Sequence, residues 1–138
     1  MNVLYTAHAT ATGDGRNGHV RSSDGLIDTD VALPPEMGGA GGQTNPEQLF
    51  AAGYAVCYHN ALRLVARRMQ TTVDGSEVSA AVGIGPIEGG RFNIAVALRI
   101  SLPGVPADLA KELVDTAHQV CPYSNATRGN IDVTLEIV

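Results

Sequence analysis

Gly41-Gly42-Gln43-Thr44-Asn45-Pro46-Glu47-Gln48-Leu49-Phe50-Ala51-Ala52-Gly53-Tyr54-Ala55-Val56-Cys57 is the passage from which the fold is read. Thr44 or Asn45 can cap a helix, Pro46 suits its first turn, and Glu47 follows Thr44 at the spacing of a capping box. The helix is expected to run to about Met69. Its first half, Leu49 to Cys57, is apolar on every face, so it is expected to be buried. Arg63, Arg67 and Arg68 make the second half amphipathic. A long buried helix carrying Cys57 is therefore the expected centre of the domain.

Upstream, Val3 to Thr12 alternates as a strand does, and Gly13-Asp14-Gly15 supplies a turn. His19 to Ser22 and Leu26 to Leu33 flank Ser23-Asp24-Gly25, where Asp-Gly suits a tight hairpin. The Pro- and Gly-rich stretch from Pro34 to Gln43 excludes regular structure and reads as a long ordered loop or lid. Downstream, Thr72 to about Ile84 and Arg91 to Leu102 form an expected hairpin. A second helix is expected from near Pro106, with Leu109, Leu113, Ala117 and Val120 on one stripe. Pro122 disfavours helical backbone at Cys121 and leaves it at the helix end. The last strand alternates Ile131, Val133, Leu135 and Ile137 with Asp132, Thr134 and Glu136. The order βββ-α-ββ-α-β indicates an α+β fold, and with no repeat or linker residues 1–138 read as one domain.

Composition narrows the function classes. The chain has 138 residues, the size of one core that buries roughly two thirds of its unfolded surface. No apolar run approaches the roughly 20 residues of a membrane helix. Met1 to Thr12 alternates and lacks a secretion signal's basic segment and apolar run, so a cytoplasmic location is expected. Nine Lys and Arg against fourteen Asp and Glu give a net charge of −5, with no basic tract beyond Arg67-Arg68, which argues against a nucleic-acid partner. Two cysteines are too few for a disulfide scaffold, and neither has zinc-site spacing. His8, His19, His59 and His118 form no metal signature, so all four read as structural or exposed and no metal is expected.

The cysteines remain. A thiol in a buried helix is usually inert, because desolvation raises its pKa and only the thiolate is nucleophilic. Cys57 lies too far from the helix start for the dipole to act, so activation demands a cationic side chain. Arg16, in Asp14-Gly15-Arg16-Asn17-Gly18-His19, is the candidate, and Glu47 is a possible carboxylate partner for it. On a straight helix Glu47 and Cys57 are about 15 Å apart, so one arginine could hardly touch both on one chain. Either the helix breaks, for instance near Gly53, or the site is shared between two subunits. Cys121 stands where one helix stops and a turn or short helix begins. Its distance from Cys57 is not set by the sequence.

Gly41 to Cys57, together with Cys121-Pro122-Tyr123-Ser124-Asn125-Ala126-Thr127-Arg128-Gly129-Asn130, resembles the two signature stretches of the organic hydroperoxide resistance proteins of the OsmC-like superfamily. The resemblance covers nearly the whole chain. It departs slightly in the arginine loop and at Tyr58, a position often held by another aromatic. It implies an OsmC-like fold in an intertwined homodimer with the active site at the subunit interface. It also implies a two-cysteine thiol peroxidase free of metal and haem, acting on organic hydroperoxides and recycled by a dithiol, typically a lipoylated protein. By the same resemblance Cys57 is the peroxidatic cysteine, Cys121 the resolving one, Arg16 the activator of the thiolate, and Glu47 the carboxylate that orients Arg16. Leu49, Phe50, Val56 and Met37 are expected to line an apolar substrate site, although core packing would explain them equally well. The rival readings are an OsmC-type peroxidase of broader specificity, a non-enzymatic redox-sensing protein, and a structural domain with two inert thiols.

Overall fold

Asn45 starts the long helix, accepting the Gln48 backbone N–H on its side-chain oxygen at 2.9 Å. Helix α1 then runs as one piece over Pro46–Arg68, without a break at Gly53. The capping box does not form, because the Glu47 carboxylate is engaged by Arg16. The computed structural model describes residues 1–138, which divide into two compact units, Met1–Leu49 and Phe50–Val138.

The first unit carries a three-stranded antiparallel sheet, β1 (Ala9–Thr12), β2 (His19–Ser22) and β3 (Asp28–Asp30), in that order. Ser22 to Ile27 makes the β2–β3 turn: Ser22 N–H donates to the Ile27 carbonyl at 2.8 Å, and Gly25 takes the left-handed backbone (φ 74) that suits Gly. The expected first strand, Val3 to Thr12, is shortened to Ala9–Thr12. Its partner β2 turns away after Ser22, and the last backbone bond between the two segments runs from the Ser23 N–H to the His8 carbonyl at 2.9 Å. The expected arm Leu26 to Leu33 contracts likewise to β3, followed by a single parallel bridge between Val31 and Thr44. The Pro34 to Gln43 stretch is a loop with one 3-10 turn, Pro35–Met37, held by its own backbone bonds to the Leu33 and Pro34 carbonyls.

In the second unit β4 (Glu77–Ile87) and β5 (Arg91–Ser101) form the expected hairpin, displaced by a few residues from the boundaries read in the sequence. Strand β6 (Val133–Ile137) adds parallel to β5. A parallel neighbour requires a crossover, supplied by α2 (Ala107–Val120) and the short α3 (Pro122–Thr127). Val96, Leu98 and Ile100 alternate inward along β5 and meet Leu113, Val114 and Ala117 of α2 and Tyr58, Leu62 and Val65 of α1 in one core. Each fully buried leucine there contributes about 1.5–3 kcal/mol.

Burial corrects one expectation. The first half of α1 is buried on one face only in this chain: Tyr54 is fully buried, whereas Val56 is 72% exposed and Leu49 37%. The buried side chains Tyr54, Tyr58, Ala61, Leu62 and Val65 follow one helical stripe, which the core covers. An all-round apolar sequence does not reveal which of its faces a single chain covers.

Candidate active site

Helix α1 presents Cys57 half-buried, and the α2–α3 junction brings Cys121 to it. Pro122 sets that junction. It fits the first turn of α3 and leaves Cys121 extended, at φ −62 and ψ 123, between the two helices. The two sulfurs lie 3.7 Å apart as free thiols, and Cys121 is fully buried. Burial pushes the Cys57 thiol up, the Tyr123 backbone N–H pulls it down, and the neighbouring Cys121 adds to the upward shift. None of these influences is a cation.

Arg16 sits in a 3-10 turn, Gly15–Asn17, just before β2. The Asn17 side-chain oxygen accepts the Leu33 N–H, and the Gly18 carbonyl accepts the Val31 N–H, which ties this turn to the chain after β3. The guanidinium grips Glu47 with both ends of its fork, Nη1 to Oε2 at 2.9 Å and Nη2 to Oε1 at 2.7 Å. The Glu47 side chain is 13% exposed and that of Arg16 36%. The Arg16 hydrogen bond holds the Glu47 carboxyl below its ordinary range, and the same bond raises the guanidinium.

The structure thus forms two pairs from the four expected catalytic residues, Arg16 with Glu47 and Cys57 with Cys121. Of the expected apolar lining, Met37 is 39% exposed on its 3-10 turn, and Leu49 and Val56 stand on open faces of α1. Phe50 is turned into an aromatic cluster with Tyr54 and Tyr123, with ring centroids 6.1 and 5.7 Å away. Gly53 makes room for it: a Cβ there would come within 2.8 Å of the Tyr123 hydroxyl.

Four polar residues near the thiols, Tyr54, His118, Ser124 and Thr127, are given no part in the site by the sequence reading. Ser124, fully buried one turn after Cys121, lies 2.8 Å from His118 Nδ1 and 3.0 Å from the Tyr54 hydroxyl. Thr127 lies 3.1 Å from the same tyrosine. No three His, Cys, Asp or Glu side chains converge as metal ligands would, and no helix is long and apolar enough to cross a membrane.

The family model of the OsmC-like proteins matches residues 39–136, well over half of the chain, which therefore belongs to the OsmC-like family. The organic hydroperoxide resistance protein of Xanthomonas axonopodis pv. citri is 58% identical over 137 residues, covering 98% of this chain and 95% of the relative. The crystal structure of an organic hydroperoxide resistance protein from Elizabethkingia anophelis superposes with a TM-score of 0.95 at 51% identity, covering 99% of this chain and 98% of that one. One from Legionella pneumophila does so with a TM-score of 0.94 at 47% identity, with the same coverage. Within the family the chain falls in the organic hydroperoxide resistance branch.

Proposed function

We propose that this protein is a thiol peroxidase that reduces organic hydroperoxides to alcohols. The observation that carries the reading is the 3.7 Å approach of the Cys57 and Cys121 sulfurs in a chain with no other cysteine. The Cys57 thiolate attacks the terminal oxygen of ROOH, the O–O bond breaks, RO⁻ takes a proton to leave as ROH, and Cys57 becomes a sulfenic acid. The Cys121 sulfur then attacks the sulfenic sulfur, water leaves with the sulfenic oxygen, and a disulfide forms before further oxidation. An external dithiol, proposed to be a lipoyl group, reduces the disulfide by exchange. Every step is sulfur and oxygen chemistry and calls on no metal or haem.

The thiolate requires a cation, and within the chain burial works against it. Arg16, oriented by Glu47, is the proposed source. With α1 unbroken at Gly53, the ten-residue spacing from Glu47 to Cys57, about 15 Å of helix, favours a site shared by the two subunits of a homodimer. The exposed apolar residues Val56 and Leu49 support burial at such an interface and a preference for alkyl or fatty-acid hydroperoxides. Met37 and Phe50 are the further proposed lining. The proposed setting is the cytoplasm, where a dithiol keeps the pair reduced between turnovers.

The test is peroxide consumption by the purified protein supplied with dihydrolipoamide. Sustained turnover of cumene hydroperoxide that is lost in Cys57→Ser supports the reading. Stoichiometric oxidation without turnover would identify a redox sensor instead.

A further inference from the structure

We propose that the buried hydroxyl chain linking Tyr54, Thr127 and His118 through Ser124 is a positioning device that holds Cys121 against Cys57 for disulfide formation. The inference rests on the two-cysteine reading above and assigns that site residues which do not themselves react.

The spacing motivates it. Tyr54 precedes Cys57 by three residues on α1, and Ser124 follows Cys121 by three at the start of α3. Tyr54 and Cys57 share a face of α1, and Ser124 is the third residue of α3 after its cap Cys121, so the Tyr54–Ser124 hydrogen bond of 3.0 Å spans the same two segments as the sulfur pair. Tyr54 and Ser124 are fully buried and Thr127 is 6% exposed, so water does not compete for these hydroxyls.

Counting protons fixes the direction of the chain. Four bonds are present: His118 Nδ1 with Ser124 Oγ, Ser124 Oγ with the Tyr54 hydroxyl, that hydroxyl with Thr127 Oγ1, and Thr127 Oγ1 with the Ser124 carbonyl. Three hydroxyls supply three hydrogens, and the carbonyl accepts only. The fourth hydrogen must come from His118 Nδ1–H. His118 therefore donates to Ser124, Ser124 to Tyr54, Tyr54 to Thr127, and Thr127 to the Ser124 carbonyl. Burial, assisted by the nearby Arg128 charge, pulls the His118 pKa down and favours the neutral ring, which can still donate from Nδ1.

The chain matters because the sulfurs must still close. They stand 3.7 Å apart as thiols, against about 2.05 Å in a disulfide, a movement of under about 2 Å that a held junction completes with little reorganisation. Without the chain, α3 is tied to α1 in this region by the Tyr123 backbone N–H at the Cys57 sulfur and by the aromatic contacts of Tyr123, and Cys121 samples positions out of reach. Such a loss of preorganisation lowers the effective concentration of one thiol at the other.

The test needs no peroxide, so it is independent of whether the protein is a peroxidase. The full chain is equilibrated in glutathione redox buffers, quenched by alkylation, and the fraction of Cys57–Cys121 disulfide is read by mass spectrometry. Tyr54→Phe and Ser124→Ala are expected to lower the equilibrium constant for disulfide formation about tenfold, and Ser124→Thr to restore most of it. Tyr58→Phe is the control, because it removes an equally buried hydroxyl that donates to the Val114 carbonyl at 2.7 Å and not to α3. Urea midpoints show whether each variant folds, and Thr127→Val replaces Tyr54→Phe if that chain does not. A drop of threefold or more in the chain variants, absent in Tyr58→Phe, supports the proposal. A smaller drop, or an equal one in the control, overturns it. If the equilibrium responds as expected while the wild type fails to turn over peroxide, the peroxidase reading fails and the positioning role stands.

Discussion

Replacing Glu47 by Gln tests whether the Arg16–Glu47 pair is a held element of the fold. Gln keeps the length and one carbonyl oxygen, so the bond at 2.9 or at 2.7 Å can persist, but the other becomes an amide donor facing a guanidinium donor. Hydrogen bonds to charged groups contribute about 1.5–3 kcal/mol each. The Arg16 side chain is 36% exposed, so solvent screening reduces that figure, and the expected loss is about 1–2 kcal/mol at neutral pH. Urea unfolding is the assay, because guanidinium would screen the pair. The pH dependence adds a second check. Arg16 holds the Glu47 carboxyl below its ordinary range, so the stabilisation is fully present above the ordinary carboxylate pKa and is lost as pH falls through the lowered one. The wild-type and variant stabilities should therefore converge on acidification below that point. A loss under about 0.3 kcal/mol at pH 7, or a difference that does not shrink with acid, would refute the reasoning.

Arg16→Met is expected to slow iodoacetamide alkylation of Cys57 at pH 7 several-fold, since burial alone disfavours the thiolate; an unchanged rate removes Arg16 as the activator. Cys121→Ser should still be oxidised once by peroxide and then progress to sulfinic acid on Cys57, seen as a gain of two oxygens by intact mass. Normal recycling with a dithiol would contradict the role of Cys121. Leu113→Ala, at a fully buried position in the core, should cost about 2–5 kcal/mol in urea unfolding, and a cost below about 1 kcal/mol would show that the core collapses around the cavity.

The elements easiest to read in the sequence were those whose cause is local. Asn45-Pro46 marks the start of α1, Pro122 marks the end of α2, and the alternation read from Ile131 marks β6, which begins two residues later at Val133. Where the cause is non-local, the reading failed or stayed open. The first strand was read too long because its extent depends on where β2 turns away at Ser22. The residues alone left Glu47 between a capping role with Thr44 and a pairing with Arg16, 31 residues earlier, and it is Arg16 that it binds. The first half of α1 was read as buried because every face of it is apolar, which does not say which face the rest of the chain covers: Tyr54 is buried and Val56 exposed. The approach of two thiols 64 positions apart is set by how α1 and the α2–α3 junction pack. Ser124 and Thr127 look like ordinary helix residues until their burial is seen.

The most direct measurement is intact-mass spectrometry after one equivalent of cumene hydroperoxide, with non-reducing peptide mapping and a subsequent addition of dihydrolipoamide. The account predicts a loss of two hydrogens located in a bridge between Cys57 and Cys121, reversed by the dithiol with renewed peroxide consumption. Two unmodified thiols, or an oxidised Cys57 that never links to Cys121, would contradict it.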